Sequence, residues 1–218
     1  SNATKTRLRE NRITGGYRPR SHSLAKYAVS IRKRNRYNFI LNTYFGTGHM
    51  CGGSILSSKL ILTAAHCLKT HKKTTRSSGL EVVAKTPERL HKTSETQILR
   101  VREVITHPKY SSQHFHNDIG LLKLEDEIIL DNLWAAEIQL PQNQPIPQTV
   151  CTVIGWGRIY ENGPFPNEIL YADIKIYSSS DCQNIFPNFG ENKICAGDKL
   201  DSEKDACHGD SGGPLICN

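Results

Sequence analysis

The sequence predicts an all-β protein, and two observations support this fold class. Short runs of apolar or alternating residues, which are typical of strands, recur along the 218 residues of the chain. Stretches rich in Gly, Pro and Asn separate these runs and indicate turns. A chain of this length can bury a substantial core, either as one large domain or as two small ones.

The predicted elements follow in chain order. Strand-like runs occupy residues 27–31, 60–62, 80–83, 98–104, 118–124, 150–154 and 169–177. Turn-rich stretches at 161–164 and 187–190 interrupt the second half of the chain. One short helix is predicted from about 179 to 185, because Ser and Asp near its start can cap it.

The composition indicates a secreted protein that folds in an oxidising compartment. Seven cysteines in a chain of this size are typical of disulfide-bonded proteins, and no apolar run approaches the length needed to span a membrane. The first three residues, Ser1-Asn2-Ala3, are typical of an expression scar, so a missing signal peptide does not argue against secretion.

The net charge is +7, and much of the excess lies in two basic clusters at 32–36 and 69–76. Two interpretations of these clusters remain open. They form either a solvated basic surface or an exosite for acidic protein segments or sulfated glycans. Binding to nucleic acid is not expected in an extracellular compartment.

The most informative motif lies near the end of the chain, where residues 209–214 read GDSGGP. Glycines on both sides of Ser211 allow backbone conformations with positive φ and a close approach of other atoms. The amides of Gly209 and Ser211 can therefore point to one place beside the serine hydroxyl. Such a pair of N–H groups is how an oxyanion hole is built.

A serine hydroxyl needs a base within hydrogen-bond reach, and the base needs a third group that orients it. His66 follows the apolar run 60–62, and Asp118 opens the run 118–124. Taken singly, the three residues have plain structural interpretations as a surface His, a turn Asp and a Ser in a Gly-rich turn. Their joint occurrence in the order His, Asp, Ser favours a nucleophilic triad.

These motifs resemble those of the trypsin-like serine proteases of the chymotrypsin family. The resemblance runs from Ile13 to Cys217, and its matching segments are 12–16, 51–54, 64–67, 117–119, 155–157 and 209–214. It implies two packed antiparallel β-barrels with the active site between them. In that arrangement residues 1–12 are the scar and a short propeptide, 13–133 form the N-terminal barrel, and 134–218 form the C-terminal barrel.

The resemblance also implies three disulfides, namely Cys51–Cys67, Cys151–Cys217 and Cys182–Cys195. Cys207 is then left over, because its family partner belongs to a segment that would follow Asn218. We therefore expect the second barrel to be incomplete at its C-terminus, through artificial truncation or as a genuine shortened product. In either case we expect the chain to hydrolyse peptides weakly.

The roles implied by the resemblance are those of the family triad. Ser211 attacks the substrate carbonyl, His66 takes the serine proton, and Asp118 orients the imidazole. The amides of Gly209 and Ser211 stabilise the tetrahedral oxyanion, and an acyl-enzyme forms and is hydrolysed.

The resemblance further implies that the chain is a zymogen. Cleavage between Arg12 and Ile13 would free an amine that pairs with Asp210, since an unpaired buried carboxylate costs several kcal/mol. The activated enzyme is expected to work best near neutral to mildly alkaline pH.

Substrate preference is assigned to Asp205, which precedes Ser211 by six residues, at the place of the family's specificity pocket. A carboxylate there favours Arg or Lys before the cut bond. The alternative is a surface aspartate in the acidic stretch 201–205.

The expected partners are protein substrates with Arg or Lys before the cut, an activating protease and serine protease inhibitors, and the expected state is a monomer. A second function class stays open, in which the chain is a catalytically silent protease homologue that acts as a binding partner. Its only support is the shortened C-terminus, because all three triad residues are present.

No cofactor or metal is predicted. His107, His114 and His116 suggest zinc, but nothing in the sequence completes a defined ligand set. By resemblance, residues 114–116 instead shape the pocket for substrate residues that precede the cut. The stretch 86–96, where some relatives bind calcium, contains basic residues rather than the dense oxygen ligands that calcium needs.

Overall fold

The structure is a computed structural model that describes residues 16–34, 45–70, 73–186, 189–190, 192–197 and 208–217. In these residues the chain forms twelve β-strands, two short α-helices and two 3-10 turns. The all-β fold class is therefore confirmed.

The strands are β1 Ala28–Lys33, β2 His49–Ser57, β3 Leu60–Thr63, β4 Lys69–Thr70, β5 Lys73–Thr74, β6 Leu80–Ala84, β7 Gln97–Thr106, β8 Gly120–Leu124, β9 Val150–Gly155, β10 Leu170–Ile176, β11 Ala196–Gly197 and β12 Leu215–Cys217. The helices are α1 Ala65–Leu68 and α2 Ser179–Ile185, and the 3-10 turns are Ala25–Tyr27 and Ser77–Gly79. Helix α2 confirms the sequence prediction. The Ser178 hydroxyl caps it by accepting the N–H of Asp181 at 3.1 Å.

Six strands close into an antiparallel barrel in the order β1-β2-β3-β8-β7-β6. Alternate side chains of these strands point inward, and Ile31, Ile55, Ile61 and Leu122 are fully buried there. Each such side chain stabilises the barrel by about 1.5–3 kcal/mol relative to exposure. The register shifts in three strand pairs, and irregularities of this kind bend strands so that a sheet can close.

The second sheet has the strand order β11-β10-β9-β12 in the described part of the chain. It buries apolar side chains on both faces, because neighbouring residues of β9 and β10 join two different clusters. Val153 and Leu170 belong to one cluster, whereas Ile154 and Tyr171 belong to the other. The second cluster includes Ala28 at the start of β1, so it lies where the two sheets meet.

Long-range hydrogen bonds join segments of the N-terminal half of the chain to the second sheet and to the residues beside it. The N–H of Tyr17 donates to the carbonyl of Tyr171 at 2.7 Å, and the indole N–H of Trp156 donates to the carbonyl of Pro87 at 2.9 Å. Ile169 also donates its N–H to the Pro87 carbonyl, at 2.8 Å. These contacts fix the position of the second sheet relative to the barrel, and so they also fix the cleft that lies between the two.

The structure contains the three disulfides that the resemblance implies. Cys51–Cys67 joins β2 to α1, Cys151–Cys217 joins β9 to β12, and Cys182–Cys195 joins α2 to the residues before β11. Cys207 lies outside the described residues. Among the described helices, none is long and apolar enough to cross a membrane.

Candidate active site

His66 lies in α1, the single helical turn that follows β3. Its ring Nδ1 is 2.7 Å from Oδ2 of Asp118, and its backbone N–H donates to Oδ1 of the same carboxylate at 2.8 Å. Because an ionised carboxylate only accepts hydrogen bonds, the ring proton sits on Nδ1 and the lone pair of Nε2 stays available as a base. The imidazole is one-third exposed, with a side-chain exposure of 33%.

Local chain geometry places Asp118 beside α1. Asn117 adopts a left-handed conformation with φ of 53°, and the N–H of Ile119 donates to its carbonyl at 2.8 Å. The side-chain amide of Asn117 donates to the carbonyl of Lys109 at 3.1 Å. A Cβ on Gly120 would come within 2.8 Å of Leu68 Cδ1, so glycine there lets α1 lie close to the start of β8.

The electrostatics keep the Asp118 carboxylate ionised. Burial alone would raise the pKa of Asp118, but hydrogen bonds from the ring and the backbone of His66 outweigh that effect. The pKa of Asp118 therefore lies below its usual value, and the carboxylate is negative at neutral pH.

The serine loop, residues 208–213, folds back against the junction of β3 and α1. Gly52 of β2 donates its N–H to the carbonyl of Ser211 at 2.9 Å. Gly212 has φ of 80°, and a Cβ there would lie only 2.1 Å from Thr63 Oγ1 and 2.7 Å from the Ala64 nitrogen. The loop that carries Ser211 therefore packs against the residues that lead directly into His66.

Asp210 is buried, with 5% exposure, and its Oδ1 accepts the N–H of Gly157 at 2.6 Å. A Cβ on Gly155 or on Gly157 would lie 2.1 Å from a carboxylate oxygen of Asp210. Both glycines of the 155–157 motif are therefore required by this carboxylate. Arg12, Ile13 and Asp205, the other expected residues for activation and specificity, lie outside the described residues.

A buried polar chain behind Gly209 was missed by the sequence analysis. The Nε of Arg32 donates to Ser30 Oγ at 3.0 Å, and this hydroxyl lies 2.8 Å from Nδ1 of His49. The other ring nitrogen of His49 is 3.1 Å from the carbonyl oxygen of Gly209. Because a carbonyl only accepts, Nε2 is the donor and Nδ1 accepts the serine proton.

His49 is neutral in this chain. Burial, together with the positive charge of Arg89, lowers the pKa of His49 to about 3. Nothing near His49 in the sequence signals this role, since its partner Gly209 is 160 residues away.

A cavity of about 850 Å³ opens beside Asp118, between the barrel and the loops that contain Lys193 and Gly212. Its lining residues are Ser54, Leu62, Thr63, Ala64, His107, Phe115, His116, Asn117, Asp118, Ile119, Gly190, Asn192, Lys193, Gly212 and Gly213. Phe115 also meets the His66 ring edge to face, with centroids 5.7 Å apart. The cavity is thus large enough to receive side chains next to the His66–Asp118 pair.

Potential metal ligands form a single group of three in the described part of the chain, namely Cys51, His66 and Cys67. The two sulfurs are bonded to each other in a disulfide, so neither can supply a thiolate to a metal. His107, His114 and His116 form no such group among these residues, although the rings of His114 and His116 lie 5.7 Å apart.

Comparison with known proteins agrees with this geometry. The family model described as Trypsin matches residues 13–218. The chain is 32% identical over 211 residues to Trypsin-1 of Salmo salar, covering 96% of this chain and 77% of that protein. It is 35% identical to Trypsin-10 of Gadus morhua with the same two coverages. It is 34% identical over 212 residues to the anionic trypsin of Canis lupus familiaris, covering 96% and 76%. The chain therefore belongs to the trypsin family and is a serine endopeptidase with a chymotrypsin-like fold.

Proposed function

We propose that this endopeptidase uses His66, Asp118 and Ser211 as its catalytic triad and cleaves peptide bonds after Arg or Lys. One observation carries the assignment. Both oxygens of Asp118 are bound by the ring and the backbone of His66, at 2.7 and 2.8 Å, beside the loop that presents Ser211. This arrangement leaves His66 Nε2 as the proton acceptor for a nucleophile on that loop.

The proposed mechanism moves one proton back and forth. Ser211 Oγ forms a bond to the substrate carbonyl carbon while its proton passes to His66 Nε2, and Asp118 stabilises the imidazolium. The N–H groups of Gly209 and Ser211 stabilise the negative oxygen of the tetrahedral intermediate. The intermediate collapses to an acyl-enzyme as His66 gives the proton to the leaving amine. Water then attacks the acyl-enzyme with His66 as the base, and Ser211 is released together with the carboxylic acid product.

Specificity for Arg or Lys is assigned to Asp205. The support is its position six residues before Ser211 in the family motif, together with relatives that are named trypsins. A buried carboxylate at the base of a pocket attracts a cationic side chain because charge pairing offsets the loss of hydration.

We propose that the chain is activated by cleavage between Arg12 and Ile13, and that Asp210 binds the amine that this cleavage frees. This carboxylate is buried beside Gly157, and pairing with a freed amine would hold it in place. The peptide that follows Gly209 would be held with it, so we propose that cleavage raises the activity of the chain. We assign residues 13–133 and 134–218 to the two structural halves.

The setting that we propose is extracellular. The three disulfides support an oxidising compartment. Protein substrates with Arg or Lys before the cut, an activating protease and serine protease inhibitors are the partners that this activity implies.

A second proposal concerns an acidic or sulfated polymer bound at the basic clusters. The N–H of Arg34 donates to the carbonyl of Gly79 at 2.8 Å, so the end of β1 lies against the turn that follows the β4–β5 hairpin. The exposed side chains of Lys33, Arg34 and Arg76 are therefore close to one another in the fold. Clustered positive charge attracts polyanions over distances of about a Debye length.

The experiment that tests the proposed function compares cleaved and uncleaved protein. The chain is treated with immobilised trypsin, the new N-terminus is read by mass spectrometry, and a fluorophosphonate probe for activated serines is added. We expect the probe to label Ser211 in the chain that begins at Ile13. We also expect this cleaved chain to hydrolyse peptides with Arg or Lys before the cut.

Three variants serve as controls. Ser211→Ala is expected to abolish labelling, Arg12→Gln to prevent activation, and Asp205→Ser to shift preference towards apolar residues. No labelling of a chain that has been cut correctly would favour the silent homologue. Unchanged Arg cleavage by Asp205→Ser would contradict the specificity assignment alone.

A further inference from the structure

We infer that Arg89 is a positioning residue for the oxyanion hole, and that it acts by holding Phe165 against Gly209. The inference rests on the proposed role of the Gly209 amide. It adds to that role a residue in the segment between β6 and β7, which acts on Gly209 through Phe165.

Arg89 clamps a segment of the second half of the chain onto the first. Its guanidinium is buried, with 6% exposure of the residue, and donates to the carbonyls of Gly46, Pro166 and Phe165 at 2.8, 3.0 and 3.3 Å. Its backbone N–H donates to the Asn167 carbonyl at 2.6 Å. One side chain therefore bonds the segment 165–167 and the turn at Gly46 at the same time.

The ring of Phe165 is the wall behind Gly209. Gly209 has φ of 106°, and a Cβ there would lie 2.6 Å from Phe165 Cε1. The guanidinium of Arg158 lies over the same ring, 4.7 Å from its centroid. The ring thus fills the space on the side of Gly209 where a Cβ would stand, and it blocks movement of this residue in that direction.

Phe165 also touches the group that fixes the Gly209 carbonyl. His49, which donates to that carbonyl at 3.1 Å, meets the Phe165 ring edge to face with centroids 5.7 Å apart. A shift of Phe165 would therefore disturb both restraints on Gly209, the steric one at its Cα and the hydrogen bond at its carbonyl. These restraints limit the rotation of the peptide group at Gly209 in the proposed oxyanion hole, and oxyanion stabilisation requires donors that are fixed in advance.

The choice of Arg at this position supports a clamp over simple packing. Filling the space would need only an apolar side chain, and burying a charge costs free energy unless its donors are paired. A guanidinium offers several donors in a rigid planar fork, whereas an ammonium is a single charged point. Lys at position 89 would keep the charge but lose the simultaneous hold on Gly46 and on the 165–167 segment.

The test compares two variants of the activated enzyme, Arg89→Lys and Phe165→Ala. We expect each to lower kcat by about tenfold or more while KM stays within about twofold, because the displaced N–H matters only when the oxyanion forms. Affinity for a peptide aldehyde, which forms a tetrahedral adduct with the active serine, is expected to fall by the same factor. The kcat of the double variant is expected to be little lower than that of either single variant, because both changes act on the same restraint.

Two control variants separate positioning from general stability. Arg102→Lys changes an exposed arginine of β7 and is expected to leave kcat unchanged. Tyr171→Phe removes the hydroxyl that accepts the N–H groups of Leu24 and Ala25, at 3.1 and 3.0 Å. It is expected to lower the free energy of unfolding and leave kcat unchanged.

The outcomes are distinct. A kcat within twofold of wild type in either folded variant overturns the inference, as does a change confined to KM. An equal loss of kcat in Tyr171→Phe also overturns it, because stability alone would then explain the effect. If Arg89→Lys does not fold, Phe165→Ala decides by the same criteria. A wild-type enzyme that neither labels at Ser211 nor turns over peptides overturns the proposed function, and the inference with it.

Discussion

Lys85 and Asp131 form an ion pair, with 2.8 Å between Nζ and Oδ2, that joins the residue after β6 to the segment after β8. The side chain of Lys85 is only 5% exposed, and its Nζ also lies 3.3 Å from Oε2 of Glu95. A lysine with a buried side-chain stem thus ties the two ends of the segment 85–95 to a distant part of the chain.

Replacing Lys85 by Met is expected to lower the free energy of unfolding by about 2 kcal/mol. Exposed ion pairs contribute about 0–1 kcal/mol, whereas breaking a buried pair costs about 3–5 kcal/mol, and the Asp131 side chain is 31% exposed. Urea unfolding of the two proteins measures the difference. Lys123→Met is the control, since its pair with Glu103 is exposed on both sides and should change stability little.

The stabilisation by Lys85 depends on pH in a defined direction. The hydrogen bond from Lys85 lowers the pKa of Asp131, and the same bond raises the pKa of Lys85. The stabilisation is therefore complete at neutral pH. It is lost as pH falls below about 4 towards the lowered Asp131 value, and as pH rises above about 10 through the raised Lys85 value. A difference between wild type and Lys85→Met that stays constant from pH 7 to pH 2 would contradict the pairing.

His49→Gln is expected to make stability less sensitive to acid. Because burial lowers the pKa of His49 to about 3, the unfolded chain binds a proton at this residue below about pH 6.5 while the folded protein does not. This residue alone then reduces wild-type stability by at most about 1.4 kcal/mol per pH unit between about 6.5 and 3. Urea unfolding across that range should show a shallower slope for the variant.

His91→Gln is the control for this measurement, since His91 is an exposed residue. It should retain the wild-type slope. Equal slopes for wild type and His49→Gln would mean that His49 is charged in the folded protein.

Gly157→Ala is expected to lower kcat/KM by about 10²-fold. The new Cβ would collide with the Asp210 carboxylate, which must move, and the adjoining Gly209 peptide would move with it. Peptide hydrolysis by the activated protein measures the effect. Gly79→Ala is the matched control, because a Cβ there would meet no atom within 4 Å. Full activity of Gly157→Ala would show that Asp210 can shift without consequence.

Asp118→Asn is expected to lower kcat by about 10⁴-fold with little change in stability, the magnitude known for the carboxylate of this kind of triad. The amide N–H of Asn would donate to Nδ1, so the ring proton would move to Nε2 and the base would be blocked. Steady-state hydrolysis of a peptide substrate tests this. Asp126→Asn, at an exposed position, should behave like wild type. A loss below tenfold in Asp118→Asn would argue against the triad assignment.

The basic clusters lead to a binding prediction. The double variant Lys33→Glu/Arg34→Glu is expected to elute from a heparin column at clearly lower salt than wild type, because each neutralised contact reduces polyanion affinity. Lys175→Glu changes the charge of an exposed residue of β10 and serves as the control. Elution of wild type and the double variant at the same salt concentration would contradict the exosite and support the interpretation as a solvated basic surface.

Much of the fold was predictable because strands and caps leave local signals. The apolar runs at 80–83, 98–104 and 150–154 fall within β6, β7 and β9, and Ser and Asp mark the start of α2. Strand β2 was not predicted. It contains two adjacent glycines and polar residues, and its extended form depends on pairing with β1 and β3.

The sequence by itself predicted the chemistry of the site, because His66, Asp118 and Ser211 each lie in a short motif that is typical of a nucleophilic triad. These motifs are local, so they are visible in consecutive residues. The disulfide pairing is not local, and it was expected from the family resemblance alone.

Only the tertiary structure decided how that chemistry is held in place. His49, Arg89 and Phe165 lie in ordinary stretches of sequence, and they meet around Gly209 only because the barrel and the second sheet pack together. Their burial changes their properties, since a histidine there loses its charge and an arginine there must pair with carbonyls. Contacts between residues far apart in the chain leave no local pattern, so folding alone brings these groups together.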